Sequence, residues 1–279
     1  MGQWTVEQPT SLEFGEVSSL KVRLIAGSVA VLATSGAGSL DVESVQGEPL
    51  QVSYEDGQLT VTHPNLTWDG LLNWLRPKRH TAVMTVRVPR NCTAEVGVVS
   101  ASAVVSGITG KCAVKGVSGG ITLDGVAGDV DANTVSGAVE AQGLDGQLDF
   151  TTVSGDLTVA GGYLERFSAN TVSGDVTADI DLDPLGRGDV NTVSGEVTLR
   201  LQADADASIN LHSMSGDVRS EFTGLRQSTI PMSHTVSGSL GAGSGRVSVA
   251  TVSGRVMLLK RAPRDTVPES DEQMEGEAN

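Results

Sequence analysis

From residue 83 onward, branched aliphatic residues alternate with polar ones in short bursts, and a glycine punctuates each burst. Two residues after that glycine stand Ile121, Val139, Leu157, Val176, Val197, Val218, Leu240 and Val256. Four after it come Leu123, Ala141, Val159, Ala178, Leu199, Ser220, Ala242 and Leu258. Seven and five residues before it the pattern returns as Val130/Ala132, Leu148/Phe150, Phe167/Ala169, Ile209/Leu211 and Val247/Val249. Period-two alternation turns one face of a short strand into a core. Each repeat is therefore predicted to hold at least two short strands separated by a glycine corner. Helical i, i+3, i+4 spacing is absent from this half, and Gly and Val are too frequent for a helical or leucine-rich solenoid.

The corner itself is a recurring phrase. It reads GVSGG at 116–120, TVSGA at 134–138, TVSGD at 152–156 and 171–175, TVSGE at 192–196, SMSGD at 213–217, TVSGS at 235–239 and TVSGR at 251–255. Self-similarity at such a period marks a solenoid, in which a unit buries its apolar face only by stacking on its neighbours. The same ruler extends backwards, with Ala101, Gly57 and Gly27 each fitting the glycine slot and an excursion around Leu40 and Val42. The expected fold class is all-β, a parallel β-helix or a flattened roll close to it. About ten to eleven short coils at ~4.8 Å each give a rod on the order of 50 Å long. One domain is expected over 1–260, with irregular coils at 15–62, an insert at 63–80 and regular repeats at 83–260. A disordered acidic tail is expected at 261–279. Val193 falls in the column Val135, Val153, Val172, Val193, Met214, Val236, which is apolar in every copy and so is expected to be buried.

Composition narrows the function. The chain is 39% hydrophobic but only 3% aromatic, and its formal charge is −15. An acidic body disfavours duplex nucleic acid and anionic membranes, whose binding needs a cationic footprint. The opening MGQWTVEQPTS has neither a basic n-region nor an apolar h-region, so a secretory signal is not expected there. The expected location is the cytoplasm, with non-standard export as the alternative. Cys112 shares an inward slot with Val130 and Leu148 while Cys92 falls two residues earlier in its own coil, so two reduced thiols are expected.

The run of T-V-S-G-D-V phrases, led in by Val86-Arg87-Val88-Pro89, resembles the bacterial β-strand-repeat family labelled "putative adhesin", over roughly residues 15–260. The resemblance implies a single-stranded, right-handed parallel β-helix. It brings no catalytic residue and no ligand.

Several columns carry candidate chemistry. Asp156, Asp175, Glu196 and Asp217 follow the repeat glycine on what the ruler makes four consecutive coils. Stacked carboxylates about 5 Å apart need water, salt or a cation between them. They are weak candidates for a Ca²⁺ site and otherwise form a solvated corner. A polar column four residues before the glycine (Asn133, Thr151, Asn170, Asn191, His212, His234) is expected to form a side-chain ladder, with His212 and His234 as neighbours. The serine of each copy meets no acid–base partner and is expected to satisfy turn backbone. Arg187-Gly188-Asp189 spells an adhesion tripeptide, but Gly188 takes a core slot and the match is set aside. Within the insert, Trp68, Leu71, Leu72, Trp74 and Leu75 make one short amphipathic helical turn ending before Pro77. They are interaction candidates, to be weighed against a flap over the solenoid. The function expected is a non-enzymatic scaffold or interaction module acting through exposed coil faces or self-association, with no cofactor. Partners are a protein or a second copy, with a glycan as the alternative and neither nucleic acid nor membrane. The runner-up is a polysaccharide-binding or polysaccharide-cleaving β-helix using the acidic column.

Overall fold

The structure, a computed structural model, describes residues 2–63 and 80–261. The described residues hold strands joined by turns and contain no helix, so the chain is all-β with a repeating, solenoid-like build. The insert residues Trp68, Leu71, Leu72, Trp74 and Leu75, and the tail from 262 on, lie outside the described residues.

The middle of the molecule follows the sequence pattern directly. Val139–Thr151, Leu157–Asn170 and Val176–Thr192 lie side by side in parallel, with Val139, Leu157 and Val176 abreast and Leu148, Phe167 and Gly188 abreast. Two ladders run the length of the stack, one made from the residues after each corner and one from the residues before it. Inward residues of both ladders are shielded: Ile121, Leu157, Val176, Leu148, Phe150 and Phe167 are at most 1% exposed. Each such side chain contributes about 1.5–3 kcal/mol of burial, gained only when the neighbouring coil is present.

Towards the C-terminus, spatial order departs from chain order. After Val197–Gln202 the chain crosses to Ala207–Ser213, which does not pack on Val176–Thr192. Gly245–Thr251 fills the place between them, with Val247 opposite both Gly188 and Ile209. In the other ladder Val256–Arg261 lies between Val197–Gln202 and Val218–Ser220. The last coil is thus inserted one level inward. Arg226–Ile230 and Ser233–Leu240 form an antiparallel hairpin on the outer edge of Ala207–Ser213. That hairpin covers a ladder edge that would otherwise offer unpaired N–H and C=O groups.

The N-terminal end is built in a similar way. Ser19–Thr34 lies between Thr93–Ser106 on one side and Gln58–Thr62 with Thr81–Pro89 on the other, all parallel. Beyond them the ladders turn antiparallel, through Ser39–Gln46 and Leu50–Glu55 and then Thr10–Glu13 and Gly2–Val6.

These observations correct four expectations. Ala101 and Gly27 do share the glycine slot and lie opposite each other, but Gly57 does not. Asp56 and Gly57, with φ of 48° and 79°, make the two-residue turn of the antiparallel hairpin between Leu50–Glu55 and Gln58–Thr62. The second correction concerns the valine column: Val135, Val153, Val172 and Val193 are 47–51% exposed, and the residue turned inward is the preceding threonine, with Thr192 at 6%. Third, the phrase at 235–239 is no corner; it lies within the antiparallel strand Ser233–Leu240, where Val236 is buried. Fourth, Arg261 belongs to the body: its guanidinium bonds Asp179 and Asp181, and its side chain is only 14% exposed.

Candidate functional site

The stacked corner concentrates the repeated chemistry. Thr134, Thr152, Thr171, Thr192 and Thr251 are buried, and each hydroxyl oxygen accepts the N–H of the corner glycine three residues on, at 2.9–3.0 Å. Ser213 does the same for Gly216 at 2.8 Å. This bond satisfies a backbone donor that the turn takes out of the ladder. The glycine is required by close approach: a Cβ at Gly195 would lie 2.0 Å from the Gly174 carbonyl oxygen. Its φ is not in the left-handed region, so space and not backbone freedom sets the residue.

With threonine turned in, the next residue turns out. Its carbonyl accepts twice from the serine one coil away. Val117 oxygen takes the Ser136 N–H at 2.8 Å and the Ser136 hydroxyl at 3.1 Å, and Val193 oxygen takes both donors of Ser253. The serine hydroxyls thus tie coil to coil; the backbone group they meet is on the neighbouring coil and not in their own turn.

Outside this staple run two exposed columns. One is apolar, in spatial order Val135, Val153, Val172, Val193, Val252 and Met214, each 40–51% exposed. The other is charged, and the structure corrects its make-up. Asp156, Asp175 and Glu196 do lie on successive coils, but Asp217 is not next: the coil of Arg255 comes between. Arg255 reaches Glu196 at 3.7 Å, and Asp217 pairs with Arg219 at 2.6 Å. Asp156 accepts the Asp175 N–H at 2.9 Å and Asp175 accepts the Glu196 N–H at 2.7 Å. One oxygen each of Asp156 and Asp175 is therefore committed to the ladder, and the column that seemed to offer four stacked acids is interrupted by a cation.

The polar column is rearranged in the same way. Asn191 donates to Asn170 at 3.1 Å, one rung of the expected ladder. Ala250 then separates Asn191 from His212. His212 faces Thr235 and His234 faces Ser213 across an antiparallel pair, so the two histidines do not share a slot. Among the described residues no group of three His, Cys, Asp or Glu side chains is arranged to hold a metal ion.

Three buried groups outside the corner are titratable in principle. Cys92 and Cys112 are free thiols, and burial pushes them up to about 11 and about 12. Neither is a thiolate at neutral pH. His63, 1% exposed, accepts the Ile25 N–H through Nδ1 at 3.2 Å. Burial, helped by the nearby His80 and opposed by Glu48, lowers its pKa to about 4.

Comparison with known proteins gives a family. The family model described as Toastrack DUF4097 matches residues 12–259, so the chain belongs to that family. No curated protein matches the sequence. Similar solved structures include a "putative lipid binding protein" from Parabacteroides distasonis, 13% identical, with 91% of this chain and 97% of that one covered and a TM-score of 0.45. A "putative adhesin" from Bacteroides fragilis is 12% identical, with 90% and 97% covered and a TM-score of 0.36. A "putative cell adhesion protein" from Clostridium sporogenes is 12% identical, with 91% and 100% covered and a TM-score of 0.22. At TM-scores below 0.5 these likenesses bear on neither binding nor activity.

Proposed function

We propose that this member of the Toastrack DUF4097 family is a non-enzymatic interaction module, a right-handed parallel β-helix that self-associates through its corner. The right-handed winding follows from the strong preference of crossovers between parallel strands for that hand. The observation that carries the reading is the exposed apolar ridge from Val135 to Met214. A water-facing row of stacked aliphatic side chains costs free energy unless something covers it. Its repeat is that of the ladder, about 4.8 Å, and a second copy offers a ridge with the same repeat and so can match it along its length. A ridge of six half-exposed side chains is well short of the roughly 20–30 residues per partner of a stable interface, so the association is reversible and weak. The flanking Asp156, Asp175 and Glu196 repel their counterparts on another copy, and screening by salt strengthens the contact.

The chemistry around the ridge also supports a module without turnover. The corner serine hydroxyls donate to carbonyls, and both thiols are held neutral. Sedimentation equilibrium tests the proposal. Concentration-dependent association, stronger at 0.5 M salt and abolished in Val172→Lys/Val193→Lys with an unchanged melting temperature, is the expected result. A wild-type protein that stays monomeric at several hundred micromolar in high salt would overturn it.

A further inference from the structure

The outward face of the ladder preceding the corner carries a second array. Arg166 lies opposite Arg187, and Arg187 lies opposite Arg246, in parallel register. All three side chains are exposed, and neighbouring rungs are about 4.8 Å apart. Three arginines thus occupy adjacent rungs on a chain of formal charge −15. Other arginines of the body sit against carboxylates: Arg87 with Asp41, Arg200 with Asp179, Arg219 with Asp217 and Arg255 with Glu196. Among the described residues, the three in this column have no such partner, and Arg90 and Arg226 lack one as well, but only the column sets its arginines on adjacent rungs. Like charges at this spacing raise one another's energy, and an anion shared between them removes that cost.

A cavity of about 510 Å³ opens beside the column, walled by Arg187, Arg246, Asp189, Ser208, Ser244 and Leu185. That is the size of a small-ligand site, which spans roughly 300–1,000 Å³. One wall is fixed in place. The Asp206 carboxylate accepts the N–H groups of Gly243 and Ser244, and the Ser244 hydroxyl donates to its other oxygen.

We propose that the Arg166–Arg187–Arg246 column and the adjoining cavity bind an acidic saccharide, a sugar chain bearing carboxylate or sulfate groups and free hydroxyls. Planar guanidinium forks grip such anionic groups through paired N–H donors. Asp189 accepts hydrogen bonds from sugar hydroxyls, and the same carboxylate opposes the closely spaced phosphates of a nucleic acid. The ladder geometry lets a linear chain run along the coil axis and meet one arginine per rung. Asp189 and Ser208 fix its orientation through hydroxyl contacts.

The proposal extends the interaction-module reading but uses a different face, so the two fail separately. Isothermal titration with a galacturonate hexamer, a heparin-derived hexasaccharide and a neutral galactose hexamer provides the test. Binding of one or both acidic chains at 50 mM salt, with none of the neutral chain, is expected. Arg187→Gln/Arg246→Gln should weaken it at least tenfold at an unchanged melting temperature, while Arg219→Gln, which alters an arginine paired elsewhere, should not. Self-association through the valine ridge should persist in the double variant. No binding of either acidic chain at millimolar concentration overturns the proposal. So does undiminished binding by the double variant, or equally tight binding of a thymidine hexanucleotide.

Discussion

Residues 251–254 and 235–238 both read T-V-S-G, yet they form different structures. At 251–254 the phrase is a corner: Thr251 is buried, Val252 is 45% exposed, and a Cβ on Gly254 would lie 2.0 Å from the Gly195 carbonyl oxygen. At 235–238 it lies in an antiparallel strand, where Val236 is 2% exposed, Thr235 is partly exposed and Gly238 meets Leu225 and not another corner. The side-chain parity is reversed. The difference teaches that the phrase permits a corner but does not compel one. What compels it is another corner beneath, whose carbonyls take the serine donors. In the middle of the rod that neighbour is always present. At the ends the chain turns antiparallel and the same letters serve a flat strand.

Charge substitution reads this contrast most strongly. Val236→Asp places a carboxylate in the core and is expected to cost about 4 kcal/mol. Val193→Asp and Val252→Asp face water and should cost no more than ~0.5 kcal/mol. Urea titration of the three variants checks the parity, and equal losses would show that both copies have the same orientation.

Glycine replacement comes next. Gly195→Ala drives a methyl group into the Gly174 carbonyl and should cost about 3 kcal/mol. Gly120→Ala, where nothing lies within 4 Å, should be close to neutral. A Gly195→Ala protein that melts like the wild type would show that the coils stack less tightly than the structure has them.

Acid separates the N-terminal end from the middle. The folded state keeps His63 neutral down to about pH 4, whereas the unfolded chain takes up the proton near pH 6.5. Unfolding therefore binds a proton in that window. The contribution is full above pH 6.5 and is lost as the pH falls towards 4, by about 3 kcal/mol on the linkage relation. His63→Gln, which keeps an acceptor for the Ile25 N–H, should flatten the decline in melting temperature over this range. A variant with the wild-type slope would place the acid sensitivity elsewhere.

The smallest expected effect is at the hydroxyl staple. Thr192→Val leaves the Gly195 N–H without its acceptor and should cost about 1–2 kcal/mol. Thr235→Val, whose hydroxyl meets only the His212 ring among the described residues, should cost no more than ~0.5 kcal/mol. Thermal melts of the pair measure the contrast between a staple and a strand residue.

Much of the corner was legible in the residues. The alternation that turns Val130 and Ala132 inward runs on to Thr134, so the parity that exposes Val135 could be read by continuing it two residues further. The shared apolar character of the valine column pointed the other way, because a row of identical aliphatics suggests burial as readily as it suggests a binding ridge. Asp56-Gly57 is likewise a readable hairpin turn, masked by the fit of Leu50, Val52, Leu59 and Val61 to the repeat spacing. The arginine column had no linear signal: Arg166, Arg187 and Arg246 follow no constant spacing, and Arg246 joins them only through the displaced last coil.

The sequence by itself determined the all-β class, the two-strand coil, the inward slots and the glycine at each corner. These are local consequences of alternation and of the space available where backbones nearly touch. The order of the coils, with 245–261 inserted between earlier ones, and the antiparallel ends were decided only in the tertiary structure. The physical reason is that every coil edge presents the same row of N–H and C=O groups. Backbone pairing therefore does not distinguish one coil from another. Which coil meets which depends on how the whole chain closes its edges and fills its core.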